Sequence, residues 1–312
     1  MKAVRFHSYG ESDVLVHEDA ERPVAGAGQV VVKVAGAAVN PVDATLRAGF
    51  VRQVFDVALP HVPCYDVAGE VVEVGEGVEA FAAGDRVVGW LPIDGPGAAA
   101  EYAVAPAEVL VAAPRTGELA DAAALPSVAL TAWQALFEHG GLTAGQSVLV
   151  NGAGGAVGGY AVQLAARAGA QVTATAGPAS RERVEGYGAQ RVIDYTATPL
   201  LEAVAGQTFD VVLNLVFVPE QDELAALAGL VTDGGVFANT VPPGLLSETG
   251  RGVRNAQVFG HSDAVRLAEL VALVDAGELR IHVAQRRPLA ELREVHEELG
   301  AFKLAGKTVL IP

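Results

Sequence analysis

The spacing of hydrophobic positions changes near residue 122. Before that point, short β-branched runs are separated by Gly- and Pro-rich turns, for example over residues 30–34, 70–74 and 86–89. Short strands punctuated in this way are typical of a twisted, barrel-like sheet. Residues 1–6 also alternate like a strand and lack the apolar stretch of a signal peptide. The first part of the chain is therefore predicted to be β-rich.

From residue 122 to residue 261, strand and helix patterns alternate. Helices are predicted over 123–138, 157–168 and 181–187. Strands rich in Val and Leu are predicted over 147–150, 171–176, 191–194, 210–214 and 235–238. Buried strands that alternate with helices predict a parallel sheet covered on both faces. Right-handed crossovers then make this segment an α/β, doubly wound Rossmann domain.

After residue 261 the pattern loosens into a helix over 264–276 and short strand-like segments, the last over 307–311. We expect this tail to return to the first domain. The predicted organisation is a β-rich substrate domain of residues 1–121 and 262–312, with a nucleotide-binding domain of residues 122–261 between them.

Composition narrows the function classes. The chain has 312 residues and a formal net charge of −16, which repels nucleic acid and anionic membranes. No apolar run reaches the roughly 20 residues that a membrane span needs. A single cysteine, Cys64, excludes an intramolecular disulfide. We expect a cytoplasmic protein that binds neither nucleic acid nor membrane.

The most informative motif is Asn-Gly-Ala-Gly-Gly-Ala-Val-Gly at residues 151–158, which follows a predicted strand and opens a predicted helix. Glycines let the backbone turn tightly and approach a pyrophosphate, and a helix N-terminus offers free N–H groups and a positive dipole end. Gly158 would let the helix pack closely on the strand. The alternative is a tight turn in an α/β domain that binds no ligand.

The end of the second strand indicates which dinucleotide is bound. Enzymes that use NAD usually place Asp or Glu about 20 residues beyond the glycines, where it binds the ribose 2′-hydroxyl. This chain has no carboxylate there, and Ser180 and Arg181 follow. Arg181 can pair with a 2′-phosphate, so NADPH is favoured. The alternative is that Ser180 only caps a helix.

Several short motifs are each weak evidence for a family, but their order along the chain is specific. They are Ala-Val-Asn-Pro-Val-Asp at 38–43, Asp-Val-Ala-Gly-Glu-Val at 66–71, Gly-Asp-Arg-Val at 84–87, Ala-Glu-Tyr at 100–102, Leu-Thr-Ala-Trp at 130–133, Val-Ile-Asp-Tyr at 192–195 and Gly-Lys-Thr-Val-Leu at 306–310. With the glycine motif, they resemble the zinc-independent quinone oxidoreductases of the medium-chain dehydrogenase/reductase superfamily over nearly the whole chain. The resemblance implies a GroES-like barrel for the β-rich domain, a homodimer, and substrate in the cleft between the domains.

The resemblance also implies site residues. The residues expected to hold NADPH are Gly154, Gly155, Ala156, Val157, Gly158, Thr175, Gly177, Ser180, Arg181 and Tyr195. The residues expected near the nicotinamide are Asn40, Thr131, Asn214 and Val216. Hydride transfer leaves an oxyanion or enolate that needs a donor, and the candidates are Asn40, Thr45 and Tyr65. Tyr65 is equally interpretable as a core tyrosine with a satisfied hydroxyl.

No metal site is expected. The first two ligand positions of zinc-binding relatives fall on Asn40 and Tyr65, and one cysteine cannot build a four-cysteine lobe. His61 and Cys64 have a metal-like spacing without further ligands beside them. Cys64 stands where the family usually has Gly, and a lone cysteine is usually a buried, inert thiol. Asp43 and Asp66 are interpreted as loop anchors.

Three functions remain open. The first is NADPH-dependent reduction of a quinone, and the second is reduction of an enoyl or alkenal C=C bond next to a carbonyl group. The third is a non-catalytic NADPH-binding protein with a structural or interaction role. Substrate contacts are expected from the loops at residues 50–59 and 242–258.

Overall fold

The structure is a computed structural model that describes residues 1–242, 244 and 251–312. The chain divides into two compact units, which are Met1–Ser127 with Ser262–Pro312, and Val128–His261. The first boundary falls after residue 127 instead of after residue 121, because the 3₁₀ segment Leu119–Ala124 packs on the sheet of the first unit. We call these two parts the barrel unit and the Rossmann unit.

The strands and helices follow the predicted patterns closely. In chain order, the strands are β1 (Lys2–Phe6), β2 (Leu15–Asp19), β3 (Gln29–Ala38), β4 (Asp66–Val74), β5 (Arg86–Trp90), β6 (Tyr102–Pro106), β7 (Leu110–Ala112), β8 (Ser147–Asn151), β9 (Gln171–Thr175), β10 (Arg191–Ile193), β11 (Phe209–Asn214), β12 (Val231–Asn239), β13 (Arg254–Gln257), β14 (Gln285–Pro288) and β15 (Thr308–Ile311). The α-helices are α1 (Pro41–Arg47), α2 (Pro126–Trp133), α3 (Ala156–Arg167), α4 (Pro178–Gly186), α5 (Leu200–Ala203), α6 (Gln221–Ala228), α7 (Ala264–Asp275) and α8 (Leu292–Gly300).

In the barrel unit, the main sheet has the strand order β14-β15-β3-β4-β5-β7, and β6 also pairs with β3. Most of these pairs are antiparallel, and β1 and β2 form a separate antiparallel pair. The last strand, β15, pairs with β3 of the N-terminal segment, as expected for a tail that returns to the first domain. The predicted β-rich domain is confirmed.

In the Rossmann unit, the described strands form a sheet in the order β10-β9-β8-β11-β12-β13, with every pair parallel. Counted from β8, this is the order 3-2-1-4-5-6 of a doubly wound dinucleotide-binding sheet. Leu149, Val212 and Phe237, one from each central strand, lie in one buried cluster. Burial of each such side chain is worth about 1.5–3 kcal/mol, which makes the centre of this sheet a rigid platform.

One predicted helix is wrong in detail. The helix expected over 123–138 is a 3₁₀ segment up to Ala124, the α-helix α2, and a π-helical segment Gln134–His139. Proline lacks the N–H that a helix interior needs but suits the first helical turn, so α2 starts at Pro126. Among the described residues, none of the helices has the length and apolar character needed to cross a bilayer.

Candidate functional site

The glycine loop lies between β8 and α3 and presents an open helix N-terminus. Gly152 has φ +98°, a left-handed conformation that favours glycine. Gly155 is the N-cap of α3, and no side chain caps this helix. The N–H groups of the first turn, which have no partner within a helix, are therefore available to an anion. This is the arrangement that the motif predicts for a pyrophosphate.

Gly158 fixes how close the loop lies to α3. A Cβ at this position would overlap the carbonyl oxygen of Gly152 and lie 2.6 Å from Cα of Ala153. Gly158 is buried, and no larger residue fits without a shift of the loop backbone. The close packing proposed for Gly158 from the motif is therefore what the structure contains.

The next turn, between β9 and α4, lies beside the glycine loop. A Cβ on Gly154 would be 2.5 Å from Oγ of Ser180, and a Cβ on Gly177 would be 3.4 Å from the hydroxyl oxygen of Tyr195. Four of the predicted cofactor residues are thus brought together: Gly154, Gly177, Ser180 and Tyr195. Tyr195 is 58% exposed, so its ring is accessible to a ligand.

Two details of this turn differ from the sequence reasoning. The N-cap of α4 is Gly177, not Ser180, because α4 already starts at Pro178. The Ser180 hydroxyl instead donates to the Gly177 carbonyl at 3.2 Å. Arg181 lies half exposed on α4, where its Nε donates to Glu185 at 2.9 Å. Its guanidinium is at the surface, as a phosphate partner requires.

Arg183 is a residue that the sequence reasoning missed. Its Nη2 donates to the carbonyl oxygen of Gly154 at 2.9 Å, and its guanidinium also lies 5.8 Å from the ring centre of Tyr187. Arg183 therefore holds the glycine loop directly from α4. Its place within a helical run of charged residues gives no sign of this contact.

A row of hydrogen-bonded polar side chains, which we call the strand-end row, crosses the carboxyl edge of the Rossmann sheet. Its members are the last residues of five neighbouring strands: Thr175, Asn151, Asn214, Asn239 and Gln257. Their side chains donate one to the next over 2.8–3.3 Å. The first of them also accepts the N–H of Gly152 at 2.8 Å. The row therefore ties the glycine loop to the sheet.

The strand-end row changes the expected role of Asn214. Its two Nδ2 hydrogens are donated to Asn239 and to the carbonyl of Val216, each at 2.9 Å, and its Oδ1 accepts from Asn151. Asn214 is 1% exposed. Its amide is already used within the protein, so its structural role is to hold Val216. Val216 is 41% exposed and lies against Gly152.

Thr175 and Thr131 have different environments. Thr175 is buried, and its hydroxyl acts inside the strand-end row. Thr131 lies partly exposed in the second half of α2, within the Rossmann unit. Ala156 and Val157 form the first turn of α3 and are also partly exposed.

In the barrel unit, a buried polar cluster surrounds Asn40, the residue before α1. We call it the Asn40 cluster; its other members are Asp43, Asp66, Ser127 and Lys307. Asn40 donates through Nδ2 to Asp66 at 2.9 Å and through its backbone N–H to Asp43 at 2.7 Å. Lys307 donates through Nζ to Oδ1 of Asn40 at 2.5 Å and to Asp66 at 2.8 Å. The sequence predicted Asn40 as a site residue but missed Lys307 and Ser127.

The two aspartates of the cluster act as anchors, as the sequence suggested. Asp43 accepts the backbone N–H groups of Asn40 and Cys64, and joins α1 to the segment before β4. Burial raises the pKa of the Asp43 carboxyl to about 7, although both N–H donors act in the opposite direction. Asp66 is fully buried and accepts from Asn40, Ser127 and Lys307 of the cluster.

The structure favours the core interpretation of Tyr65. Tyr65 is fully buried, and its hydroxyl is 2.8 Å from Nε2 of His61. Burial raises the pKa of the Tyr65 hydroxyl far above its ordinary value and lowers that of His61 to about 4. A phenol that holds its proton so firmly is a poor acid, so we do not propose Tyr65 as a proton donor. The Thr45 hydroxyl donates to the carbonyl oxygen of Pro41 within α1 at 2.9 Å. Its role as a donor to the substrate stays a prediction from the sequence.

The residues do not fit a zinc ion. Among the described residues, no group of three His, Cys, Asp or Glu side chains is placed to hold a metal. The ammonium of Lys307 touches both Asn40 and Asp66, where it would repel a second cation. Burial raises the pKa of the Cys64 thiol, so the thiolate that binds metals is disfavoured.

Of the two expected substrate loops, the structure describes the first fully and the second in part. Over residues 50–59, Phe50 and Val54 are 83% and 74% exposed, which leaves an apolar surface on the barrel unit. In the loop expected over 242–258, residue 243 and residues 245–250 lie outside the described residues, and 254–257 form β13.

Comparison with known proteins identifies the family. Residues 26–115 match the alcohol dehydrogenase GroES-like domain, and residues 187–310 match the zinc-binding dehydrogenase family. The chloroplastic quinone-oxidoreductase QR1 of Triphysaria versicolor is 32% identical over 328 aligned positions, which cover 100% of this chain and 98% of that protein. The chloroplastic NADPH-dependent alkenal/one oxidoreductase of Arabidopsis thaliana is 37% identical over 253 positions, 75% of this chain and 64% of that protein. The structure of the quinone oxidoreductase from Coxiella burnetii superimposes with a TM-score of 0.89 at 28% identity, covering 100% and 99% of the two chains.

A GroES-like barrel unit joined to a six-stranded Rossmann unit defines the medium-chain dehydrogenase/reductase class of NAD(P)H oxidoreductases. Within that class, the chain belongs to the zinc-independent quinone oxidoreductase family. The recognition made from its motifs is confirmed, and so is its assignment as an oxidoreductase that uses a nicotinamide cofactor.

Proposed function

We propose that the protein uses NADPH to reduce a quinone. The observation that carries the cofactor part is the uncapped N-terminus of α3 beside the turn that contains Ser180, Arg181 and Tyr195. The first feature suits a pyrophosphate and the second a 2′-phosphate, and together they match the two charged parts of NADPH. When bound, NADPH supplies the hydride.

The chain's own residues bind and orient the cofactor. The N–H groups at residues 156–158 would donate to the pyrophosphate oxygens, and Arg183 keeps the loop in place through Gly154. The strand-end row holds Gly152 and Val216, which flank the loop. The choice of NADPH over NADH rests on Arg181 and on the lack of a carboxylate at the end of β9.

The choice of a quinone as acceptor is supported by the names of the Triphysaria and Coxiella relatives. It is also supported by the donor set of the barrel unit. The Asn40 cluster places an amide donor beside a buried ammonium, which suits a carbonyl oxygen that gains negative charge.

Reduction of an α,β-unsaturated carbonyl compound is the second candidate. It is favoured by the 37% identity to the Arabidopsis alkenal/one oxidoreductase. The chemistry at the oxygen is the same, because a quinone and an enone both carry a carbonyl group conjugated to a C=C bond.

The test is NADPH oxidation by the purified protein over a panel of quinones, enones and alkenals. Turnover of quinones alone supports the first function, and turnover of enones and alkenals alone replaces it by the second. Tight NADPH binding without turnover of any acceptor contradicts both and favours the non-catalytic alternative.

A homodimer and a cytoplasmic location are part of this proposal. Within the described residues, β13 is the edge strand of the Rossmann sheet and pairs with β12. Such an edge can pair with the same strand of a second copy. Light scattering coupled to size-exclusion chromatography tests the dimer, and a monomer at micromolar concentration would contradict it.

A further inference from the structure

The barrel unit contains a buried ion pair between Lys307 and Asp66, whose presence the stability of the fold does not explain. The side chains of Lys307 and Asp66 are 2% and 0% exposed, and Nζ lies 2.8 Å from Oδ2. Removing two charges from water is costly, and two apolar side chains of similar volume often stabilise a fold at least as well. The position of this pair therefore points to a role other than stability.

The carboxylate of the pair is surrounded by hydrogen-bond donors. Ser127 donates its backbone N–H to Oδ1 of Asp66 at 2.8 Å and its hydroxyl to Oδ2 at 2.5 Å. Lys307 and Asn40 also donate to Oδ2. Asp66 therefore acts only as an acceptor towards its neighbours, and Lys307 can act only as a donor.

Asn40 lies between these two opposite charges. Its Oδ1 accepts from Nζ of Lys307 at 2.5 Å, and its Nδ2 donates to Oδ2 of Asp66 at 2.9 Å. A side-chain amide is nearly symmetrical in shape, so its orientation depends on its partners. Turned over, the amide would place NH₂ against an ammonium and oxygen against a carboxylate. The ion pair therefore permits one orientation.

In that orientation, one N–H of the Asn40 amide is left to bind a ligand. Oδ1 faces Lys307, with the hydroxyl of Ser127 at 3.2 Å beside it, and one Nδ2 hydrogen goes to Asp66. The second Nδ2 hydrogen is not used by any described residue. Asn40 is 9% exposed, so the residue as a whole is close to the surface of the barrel unit.

We propose that Asn40 binds the carbonyl oxygen of the acceptor through this N–H, and that Lys307 is the positioning residue that sets the orientation of the Asn40 amide. Asp66 is the partner of Lys307 in the ion pair. Because Asn40 offers an N–H donor, the acceptor that it recognises carries a carbonyl oxygen at this place and not a hydroxyl group. The inference rests on the proposed function, since it concerns the acceptor of that reaction.

The electron balance of the reduction shows which charge the second Nδ2 hydrogen of Asn40 stabilises. The hydride from NADPH forms a C–H bond at the β-carbon of an enone, the C=C electron pair moves towards the carbonyl group, and its oxygen becomes an enolate oxygen. A proton from water then adds to the α-carbon, which gives the saturated carbonyl compound and NADP⁺. In a quinone, hydride addition to the ring carbon β to a carbonyl group likewise makes that oxygen an enolate oxygen; protonation of this oxygen and enolisation of the other carbonyl group give the hydroquinone. In both, an N–H aimed at this oxygen stabilises the charge as it forms.

The test compares Lys307→Met with the wild type in steady-state reduction and in NADPH binding. The variant loses the donor that fixes the amide, so we expect kcat to fall roughly 100-fold, the lower end of the loss seen when one oxyanion donor is removed. The Kd for NADPH stays within about threefold. The kinetic isotope effect with NADPH deuterated at the transferred position rises, since hydride transfer becomes rate-limiting.

Two further variants separate positioning from folding. Lys307→Arg restores a donor and should recover part of kcat. Lys307→Met combined with Asp66→Leu removes both charges, so no unpaired ion is left in the core. It should melt near the wild-type temperature yet show the same low kcat. Lys303→Met makes the same substitution at an exposed lysine and is the control.

The outcomes are distinguishable. If the wild type reduces no acceptor, the proposed function fails. If the wild type is active and the folded double variant retains its kcat, the role of Lys307 is wrong. If the Kd for NADPH weakens as much as kcat falls, Asn40 faces the cofactor and the inference is also wrong. A selective loss of kcat with a larger isotope effect supports it.

Discussion

Gly158 and Gly152 are packed so closely that a single added methyl group would separate them. A Cβ on Gly158 would overlap the Gly152 carbonyl oxygen and lie 2.6 Å from Cα of Ala153. Gly158→Ala should therefore displace the glycine loop. We expect NADPH binding to weaken at least about tenfold and stability to fall by roughly 1–3 kcal/mol, as in overpacked cores.

Gly186→Ala is the matched control for this substitution. Gly186 also lies in a helix, α4, and nothing is within 4 Å of its added Cβ. Alanine is favoured over glycine in helices by about 0.8–1 kcal/mol, so the control should be at least as stable as the wild type. Thermal melts and fluorescence titrations measure both effects. Equal NADPH affinity in the two variants would contradict the role of Gly158.

Arg181 and Arg183 have different roles, although they are two residues apart. Arg181→Ala should weaken NADPH binding roughly tenfold and leave NADH binding unchanged, because only NADPH carries the 2′-phosphate. The measurement is the Kd for each nucleotide. An unchanged ratio of the two Kd values would show that Arg181 does not read the 2′-phosphate.

Arg183→Ala should weaken both nucleotides by a similar factor. Its contact is with the carbonyl oxygen of Gly154, and the shared pyrophosphate site depends on that loop. We expect a loss of about 3- to 10-fold, equivalent to one hydrogen bond of about 1 kcal/mol. A loss confined to NADPH would assign the 2′-phosphate to Arg183 instead.

The strand-end row predicts coupled effects of mutation. Asn214→Leu removes the acceptor of the partly buried Asn151 amide and one donor to the buried Asn239 amide, at a cost of about 1–3 kcal/mol for a buried group left unsatisfied. Asn239→Leu should cost a similar amount. The double variant should lose less than the sum of the two, since each single change breaks the same bond. Urea unfolding of the three variants measures this, and strict additivity would contradict a connected row.

His296 should make stability depend on pH. It is 2% exposed, and burial first, then the charge of Arg47, lowers the pKa of its imidazole to about 3. Below about pH 6.5 the unfolded chain binds a proton that the folded chain does not. The stability due to the neutral ring is therefore complete above pH 6.5 and is lost as the pH falls towards 3, by about 1.4 kcal/mol per pH unit.

His296→Leu isolates this contribution from the opposite effect of Asp43. The raised pKa of the Asp43 carboxyl gives stability below pH 4 that is lost as the pH rises through about 7. The wild type and the variant share Asp43, so the difference between their urea unfolding curves at pH 4–6.5 reports on His296 alone. Replacement of the exposed His17 by Leu is the control. Parallel pH profiles for wild type and His296→Leu would contradict the prediction.

The sequence predicted the architecture because the signals for it are local. The apolar strand at 147–150, the glycines after it and the following helix specify one α/β turn, and repeated alternation specifies the parallel sheet. β13 was missed because its residues Arg-Asn-Ala-Gln carry no apolar pattern, and its pairing with β12 depends on the rest of the sheet. The break of the 123–138 helix at Pro126 could have been predicted from the proline alone.

The site was predictable where a motif lies in one stretch of chain, as in the glycine loop. It was not predictable where residues meet from distant segments. Lys307 meets Asn40 and Asp66 across 267 and 241 residues, and no local pattern marks that meeting. For Tyr65 the sequence predicted too much. Its phenol made it a candidate proton donor, and only the structure shows that it is buried against His61.

The most direct test of the account is calorimetric titration of the wild type with NADPH, with 2′,5′-ADP as competitor and 5′-AMP as control. The account predicts 1:1 binding of NADPH, displacement by 2′,5′-ADP, which carries the 2′-phosphate without the nicotinamide, and little displacement by 5′-AMP. No binding heat at millimolar NADPH, with no protection against thermal unfolding, would contradict it.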